Sequence, residues 1–191
     1  MSAPEDMSVT LVQPYDPAWP SQFEQMKAFL EAGLLDVDCV IEHVGSTAIP
    51  GMVAKPIIDI DVVIAPGAFP AVKARLEALG YVHQGDLGIP EREAFDLVNP
   101  DARSRLPDHH LYVCEDGAHE LRRHLAFRNF MRRHPEWRER LSRLKQELCI
   151  AHENDRQAYM DGKADMVKEI TNLAMERSDP AAGGDRYQPR A

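Results

Sequence analysis

The sequence predicts a mixed α/β (α+β) domain, a β-sheet flanked by helices with a further helical segment at the C-terminal end. Three observations predict this fold class. Residues 39–44 and 57–64 are short runs rich in β-branched residues, as strands are. Residues 68–79 repeat apolar side chains every three or four positions, which is the helical period. From about residue 118 to residue 177 the helical period continues throughout.

The first element predicted is a helix that follows an apolar lead-in and a proline-rich turn. Ser21 is the predicted N-cap, because Glu24 follows it at the capping-box spacing. Apolar side chains then recur near the helical period, and the helix is predicted to end at Gly33. The strand at 39–44 follows, then a loop marked by glycine and proline, then the stronger strand at 57–64.

The second half of the predicted sheet comes after the helix at 68–79, which Gly80 ends as a C′ residue. Turn-forming residues separate three short strand candidates, at 81–84, 93–99 and 109–116. Three helices are predicted after these strands. Pro135 suits the first position of the second helix, and Asp155 opens the third.

These elements predict one domain over residues 8–177, with a sheet-bearing part at 8–117 and a helical part at 118–177. Residues 178–191 are rich in glycine, proline and alanine and offer little to bury. They are predicted to form a disordered tail.

Composition and charge narrow the classes of function. Of the 191 residues, 44% are hydrophobic and 28% are charged, close to the average for soluble globular proteins. The 22 basic and 31 acidic residues give a net charge of −9, which argues against a protein that coats nucleic acid or an anionic membrane. No apolar run predicts a membrane span and the first residues lack the features of a secretory signal, so a cytoplasmic location without membrane contact is expected.

The three cysteines do not suggest a disulfide framework or a thiolate zinc site. Cys39, Cys114 and Cys149 are widely spaced and form no CxxC pair. We interpret them as reduced residues of the interior. The histidines also lack a zinc-binding spacing, since no two of them form an i, i+4 helical pair with a further ligand.

The chemistry is concentrated in residues 43–64. Asp59 and Asp61 are two positions apart in a run of isoleucine and valine, so in a strand their side chains leave the same face. Two neighbouring carboxylates in an apolar strand need a cation to compensate their charge. Carboxylate oxygens suit Mg²⁺, with Mn²⁺ as an alternative, and Mg²⁺ usually takes one or two carboxylates together with phosphate oxygens of a substrate.

A glycine and a serine stand upstream of these aspartates. Gly45 permits a close approach of the backbone, and Ser46 offers both its N–H and its hydroxyl group. These are groups that a triphosphate needs beside its metal. The order of the residues therefore predicts that a phosphate site and a metal site adjoin.

An apolar residue, Gly-Ser, a spacer of about a dozen residues and Asp-apolar-Asp-apolar together resemble the signature of the DNA polymerase beta-like nucleotidyltransferase superfamily. More narrowly, the chain resembles the GrpB family of predicted nucleotidyltransferases over roughly residues 8–175. The central block IEHVGSTAIPGMVAKPIIDID is highly specific. The other matching segments are Val12, Tyr15, Pro17 and Trp19-Pro20, HHLYV near 109–113, FRNFMR at 127–132 and YMDGK at 159–163.

The resemblance implies that Gly45 and Ser46, with the following Thr47, lie at the nucleotide phosphates. It also implies that Asp59 and Asp61 are Mg²⁺ ligands and catalytic residues. In the superfamily a third carboxylate on a later strand completes the metal site, and here the sequence departs from the pattern. His110 would supply the missing ligand or base, since imidazole exchanges protons near neutral pH. The carboxylates that could otherwise fill this place are Asp96 and Asp108.

Four basic residues are further candidates for nucleotide binding. Lys55 lies in the loop between the glycine-serine pair and the aspartates. Arg128 and Arg132 are i, i+4 on a predicted helix and could clamp a phosphate. Lys163 stands i, i+4 from Tyr159 on the last helix. The alternative for the arginines is a solvated basic face, and for His43 and His109 it is a structural role in the interior.

The leading hypothesis is a nucleotidyltransferase that takes a nucleoside triphosphate with Mg²⁺ and transfers a nucleotidyl group to a hydroxyl or phosphate acceptor. The net charge favours a small molecule or a protein over nucleic acid as that acceptor. The first alternative is a non-catalytic nucleotide- or ligand-binding module, similar to the domain attached to dephospho-CoA kinase in some proteins. A metal-dependent phosphohydrolase that uses the same aspartates is the second.

Overall fold

A computed structural model describes residues 10–177 of the chain. These residues form five strands and six α-helices, with one short 3₁₀ turn at Ser46–Ala48. The strands are β1 (Cys39–Val44), β2 (Ile58–Ile64), β3 (Tyr81–Gly85), β4 (Glu93–Leu97) and β5 (His109–Glu115). The helices are α1 (Trp19–Gly33), α2 (Phe69–Ala78), α3 (Pro100–Arg103), α4 (His119–Arg133), α5 (Pro135–Ala151) and α6 (Arg156–Arg177).

The strands form one mixed sheet in the order β1-β2-β5-β4-β3. The central pair, β2 and β5, is parallel, and the other neighbours are antiparallel. In this register Asp59 lies between Val44 on β1 and His110 on β5, and Asp61 lies between Glu42 and Tyr112. The sheet therefore places residues from three segments of the chain side by side.

The two faces of β2 pack against different helices. Ile58, Ile60, Val62 and Ile64 face a core that contains apolar side chains of α1 and α2. On the other face Val63 packs with Cys114 and with Leu121 of α4. Because side chains alternate along a strand, the aspartates share the face that α4 covers.

The C-terminal helices form a second apolar cluster with the loop that follows the 3₁₀ turn. Ile49 and Met52 of that loop pack against Phe130 of α4, Leu141 of α5 and Ile170 of α6, and all five are buried. Val53 packs with Cys149 and Tyr159 in a further small cluster. The loop between β1 and β2 is thus held by side chains of the helices.

The predicted mixed α/β fold class is confirmed, and most elements lie within two residues of their predicted limits. Pro135 begins α5 as predicted, and Asp155 caps α6 by accepting the N–H of Ala158 at 2.7 Å. The prediction that Ser21 caps the first helix is wrong. The helix begins at Trp19, and the Ser21 hydroxyl donates to the carbonyl of Ala18 within it.

The short helix α3 was not predicted. The side chain of Asn99 accepts the N–H groups of Asp101 and Ala102, so it caps a single turn that carries too few residues for a visible period. The three cysteines are buried, as predicted. No helix within residues 10–177 has the length and apolar character needed to cross a bilayer. The predicted tail, 178–191, lies outside the described residues, and the single-domain division stays a prediction.

Candidate functional site

The two aspartates of β2 form the centre of the site. Asp61 is fully buried, whereas the side chain of Asp59 is 29% exposed. Ile58 and Ile60, which alternate with the aspartates, face the opposite core, as the alternation of the sequence predicted. The strand thus presents one partly exposed and one buried carboxylate on the same face.

The glycine-serine bend lies directly over Asp59. Gly45 follows β1 with φ of +69°, a backbone conformation that side chains with a Cβ rarely adopt. A Cβ built on Gly45 would stand 2.1 Å from Oδ2 of Asp59. Glycine is required here for its φ angle and for this close approach. The bend and the carboxylate of Asp59 are therefore close in space, as the sequence predicted.

Gly45→Ala is expected to lower the free energy of unfolding by more than the change in φ alone would cause. Gly117→Ala is the matched control, because Gly117 has φ of +83° and a Cβ added to it would meet nothing within 4 Å. The control should cost about 1–3 kcal/mol, and Gly45→Ala at least about 1 kcal/mol more because of the overlap with Asp59. Urea unfolding of both variants measures the difference, and equal costs would contradict the close approach.

A histidine pairs with each aspartate. His110 of β5 donates its Nδ1–H to Oδ1 of Asp59 at 2.8 Å. His124 of α4 donates its Nδ1–H to Oδ2 of Asp61 at 2.7 Å, and its Nε2 lies 3.3 Å from a carboxylate oxygen of Glu120. The charge compensation that the sequence requires is thus supplied at least in part by side chains of the protein itself.

His124 is held in its charged form. Burial lowers its pKa. The hydrogen bonds and charges of Asp61 and Glu120 outweigh the effect of burial and raise the pKa to about 9. Burial raises the pKa of Asp61, and the hydrogen bond from His124 opposes that shift. At neutral pH the ring of His124 is therefore protonated, and it lies between the side chains of Asp61 and Glu120. Sequence reasoning missed His124 because helical period alone does not show which part of α4 crosses β2.

A second oxygen of Asp61 remains without a partner. Its Oδ1 is buried and accepts no hydrogen bond from any residue in the described range. Burying such an atom without a donor is costly, so it is a candidate ligand atom. Among residues 10–177 no group of three or more histidine, cysteine, aspartate or glutamate side chains forms a ready metal cage. Two carboxylates fit Mg²⁺, which keeps waters and binds substrate phosphates to complete its shell.

The place beside Asp59 on the next strand belongs to His110 and not to a carboxylate. The register pairs these two residues directly. Asp108 is exposed before β5, where its carbonyl accepts the N–H of Ile58. Asp96 is exposed on β4, and β5 separates that strand from β2. Of the three candidates, His110 is the one that the fold brings to the aspartates.

Three lysines gather near the bend. Lys145 of α5 donates to the Ser46 hydroxyl at 2.8 Å and to the carbonyl of Val53 at 2.9 Å. Lys55 and Lys163 each lie over the ring of Tyr159, at 4.8 and 4.9 Å from its centre. Two of these lysines were predicted from the sequence. The positive charge of the group lies next to the serine of the bend.

Lys145 is the lysine that sequence reasoning missed. It is 2% exposed, and burial lowers its pKa to about 7, with the charges of Lys163 and Lys55 acting in the same direction and Asp59 opposing. Its position in the sequence could have identified it. Lys145 stands four positions after Leu141 on the apolar stripe of α5, where a lysine has to be buried.

The shifted pKa of Lys145 predicts a specific dependence of stability on pH. Between about pH 7 and the ordinary value of 10.5, the unfolded chain holds a proton on Lys145 that the folded chain has lost. The free energy of unfolding should therefore rise with pH across this window, by up to about 1.4 kcal/mol per unit. Urea unfolding of wild type and Lys145→Met from pH 6 to 10 isolates this slope as their difference. A difference that is independent of pH would contradict the assignment.

The arginines predicted to bind nucleotide lie elsewhere. Arg128 donates to Glu42 at 2.6 Å and to the carbonyl of His43 at 2.9 Å. Arg132 donates from Nε and Nη2 to the carbonyl of Ala48, at 2.9 and 2.7 Å. They share one face of α4, as their spacing predicted, but they line a cavity whose walls include neither aspartate.

Thr47, His43 and His109 make hydrogen bonds in the interior of the protein. The buried Thr47 hydroxyl donates to the carbonyl of Ile57 and accepts the Nε2–H of His43 at 3.0 Å. Burial lowers the pKa of His43 to about 4, so its ring is neutral. His109 donates from Nδ1 to the carbonyl of Pro107 and accepts the Tyr81 hydroxyl, each at 2.8 Å. The hydrogen bonds of both histidines fit the alternative considered for them, a structural role in the interior.

Comparison with known proteins points to one family. The family profile described as GrpB protein matches residues 9–173. A UPF0157 protein of Halalkalibacterium halodurans is 34% identical over 90% of this chain and 85% of its own. The glutamate-rich protein GrpB of Alkalihalophilus pseudofirmus is 30% identical over 81% of this chain and 89% of its own.

Two solved structures are similar to this fold to different degrees. The conserved protein GrpB from Enterococcus faecalis superposes with a TM-score of 0.74 at 32% identity, covering 87% of this chain and 98% of its own. The Cid1 poly(U) polymerase bound to MgATP covers 65% of this chain and 40% of its own, with a TM-score of 0.44 at 12% identity. The second likeness supports no statement about this chain.

Proposed function

The chain belongs to the GrpB family, and from this premise we propose that it is a magnesium-dependent nucleotidyltransferase. It would take a nucleoside triphosphate and transfer a nucleotidyl group to a hydroxyl or phosphate acceptor. The observation that carries the proposal is the position of the Gly45 bend over Asp59, on the face shared with Asp61 and beside three lysines. A phosphate site at the bend would adjoin the two carboxylates, as this reaction requires.

The triphosphate would lie on the lysine side of the bend. Ser46 offers its N–H and hydroxyl, and Lys145 contacts that hydroxyl. Lys55 and Lys163 add two more cations near the same place. Burial lowers the pKa of all three lysines. The charge of Lys55 adds to the shift of Lys145 and of Lys163, and the charge of Arg156 adds to that of Lys55. A polyphosphate would relieve this repulsion, and its charge would favour full protonation of the lysines.

Asp59 and Asp61 would hold Mg²⁺, with Mn²⁺ as an alternative. The bound ion would neutralise charge on the α-phosphate and on the leaving pyrophosphate. The protein's own contribution is to fix the carboxylates. His124 orients Asp61 through a 2.7 Å hydrogen bond and leaves Oδ1 free, and His110 does the same for Asp59 through Oδ1. Such outer contacts orient metal ligands in many sites.

His110 would act where the acceptor approaches. In-line displacement at phosphorus requires the attacking and leaving oxygens on opposite sides. The lysines would mark the leaving side, since Lys145 contacts Ser46 of the β1–β2 loop, whereas His110 lies on β5, the other neighbour of β2. Its side chain is 43% exposed and uses only Nδ1 to contact Asp59. Its Nε2 could accept the proton of an acceptor hydroxyl.

Nucleotidyl transfer is tested by incubating the protein with α-labelled nucleoside triphosphates and Mg²⁺ or Mn²⁺, using pools of small metabolites and of proteins as acceptors. Label in an acceptor, with release of pyrophosphate, is the expected result. Asp59→Asn is the negative control, and it should transfer no label. Label released to water alone would indicate a phosphohydrolase instead, and would contradict the transferase.

One observation favours a second candidate, a non-catalytic nucleotide-binding module. The place next to Asp59 holds a histidine where the superfamily has a third carboxylate. A module of this kind would bind nucleotide saturably and form no product with either metal. Saturable binding by calorimetry together with no labelled product across all acceptor pools would replace the transferase with this module.

A further inference from the structure

Arg128 and Arg132 line a cavity that the proposed nucleotide site does not use. The cavity has a volume of about 420 Å³ and lies beside β1, an edge strand of the sheet. Side chains of α1 form one wall and α4 forms another, and Thr47, Ala48 and Pro50 also line the cavity. Its volume is within the range of small-molecule sites, about 300–1,000 Å³.

The charges in the cavity favour an anion. Its cationic groups are Lys27, Arg128 and Arg132, and its carboxylates are Glu24 and Glu42. Arg128 and Glu42 form an ion pair at 2.6 Å and so compensate each other. Two cations then face one carboxylate, Glu24, which is exposed on α1. The remaining charge is positive.

Arg132 has hydrogen-bonding capacity left over. A guanidinium group has five N–H donors. Two nitrogens of Arg132, Nε and Nη2, donate to the single carbonyl of Ala48, and in residues 10–177 it makes no other hydrogen bond. Burial lowers the pKa of Arg132, and the positive charge of Arg128 lowers it as well. A bound anion would relieve both effects, and the planar guanidinium matches a phosphate in two-point contact.

The polar wall of the cavity is fixed in place. Arg128 is 6% exposed, His43 9% and Thr47 1%. The neutral ring of His43 stacks on Phe23 with centres 4.7 Å apart, and its Nε2 contacts Thr47. Tyr15 and Phe23 add aromatic surface to the same lining. The cavity thus combines an apolar side with a cationic end.

We propose that this cavity is a second anion site that binds a small molecule carrying a phosphate monoester. Its phosphate would bridge Lys27 and Arg132, and the remainder of the molecule would lie against Tyr15 and Phe23. A dianion matches the two cations better than a single carboxylate does, and the volume admits more than bare phosphate. Binding in this cavity does not depend on the proposed transfer reaction.

Binding is tested by titrating the protein with inorganic phosphate and with phenyl phosphate while NMR follows the ring signals of His43. Both probes should shift these signals saturably, and phenyl phosphate should bind at least about tenfold more tightly because it also buries its ring. Arg132→Gln and Lys27→Met should each weaken binding at least about tenfold. Arg133→Gln is the matched control, since this exposed neighbour on α4 does not line the cavity.

Lys163→Met separates the cavity from the nucleotide site. It removes a cation of the lysine group and should leave the shift of the His43 ring signals with added probe unchanged. The proposal is overturned if His43 shows no saturable shift with millimolar probe. It is also overturned if Arg132→Gln and Lys27→Met bind like wild type, or if Lys163→Met removes the shift. The two cavity variants lie on different helices, so a folding defect in one leaves the other as a test.

Discussion

Asp59→Asn is expected to weaken magnesium-dependent binding of nucleoside triphosphate by at least about 100-fold, since it removes a proposed metal ligand. The substitution keeps the shape of the side chain and an oxygen for His110, and Asp59 is partly exposed, so the free energy of unfolding should change little. Calorimetric titration of Mg²⁺-ATP measures the affinity, and urea unfolding measures the stability.

Asp96→Asn is the control for the loss of charge. Asp96 is an exposed strand residue of the same sheet, separated from β2 by β5. It should bind Mg²⁺-ATP like wild type. If Asp59→Asn bound as tightly as wild type, the metal assignment would be lost. If Asp96→Asn abolished binding as well, the third ligand would be this carboxylate and not His110.

His124→Ala is expected to lower the free energy of unfolding by about 3–5 kcal/mol. The substitution leaves Asp61, which is fully buried, with neither oxygen hydrogen-bonded and without its paired cation. Breaking a buried pair by removing one partner is far more costly than losing an exposed contact. Urea unfolding measures the change.

Two further variants make this prediction specific. His119→Ala removes an exposed histidine from the same helix and should change stability by less than about 0.5 kcal/mol. Adding Asp61→Asn to His124→Ala should recover part of the loss, because the uncompensated charge is gone. A loss below about 1 kcal/mol in His124→Ala, or no coupling with Asp61→Asn, would show that the pair carries little of the stability.

The sequence predicted the fold class and most of the site because both depend on local patterns. The alternation of isoleucine and aspartate in residues 58–61 placed Asp59 and Asp61 on one face, and Gly45 stood where only glycine fits. The histidine at 110 could be predicted because β5 alternates as β2 does. These features follow from strand geometry and need no knowledge of how the helices pack.

The residues that sequence reasoning missed or placed differently depend on packing between distant segments. His124 and Lys145 reach the site because α4 crosses β2 and α5 crosses the β1–β2 loop, 63 and 99 positions away from their partners. Arg128 and Arg132 share a face of α4, as predicted. The angle at which that helix crosses the sheet directs them to β1 and to the Ala48 carbonyl.

The parallel pairing of β2 with β5 has a consequence for the order of folding. His110 meets Asp59 across 51 positions, and Ser46 meets Lys145 across 99. During synthesis from the N-terminus, a nascent chain therefore has no complete site until α6, which carries Lys163, has been made. Contacts so distant in sequence also slow folding, because long loops must close before those contacts form. A ligand of this site would then bind only the finished chain and would stabilise it by mass action.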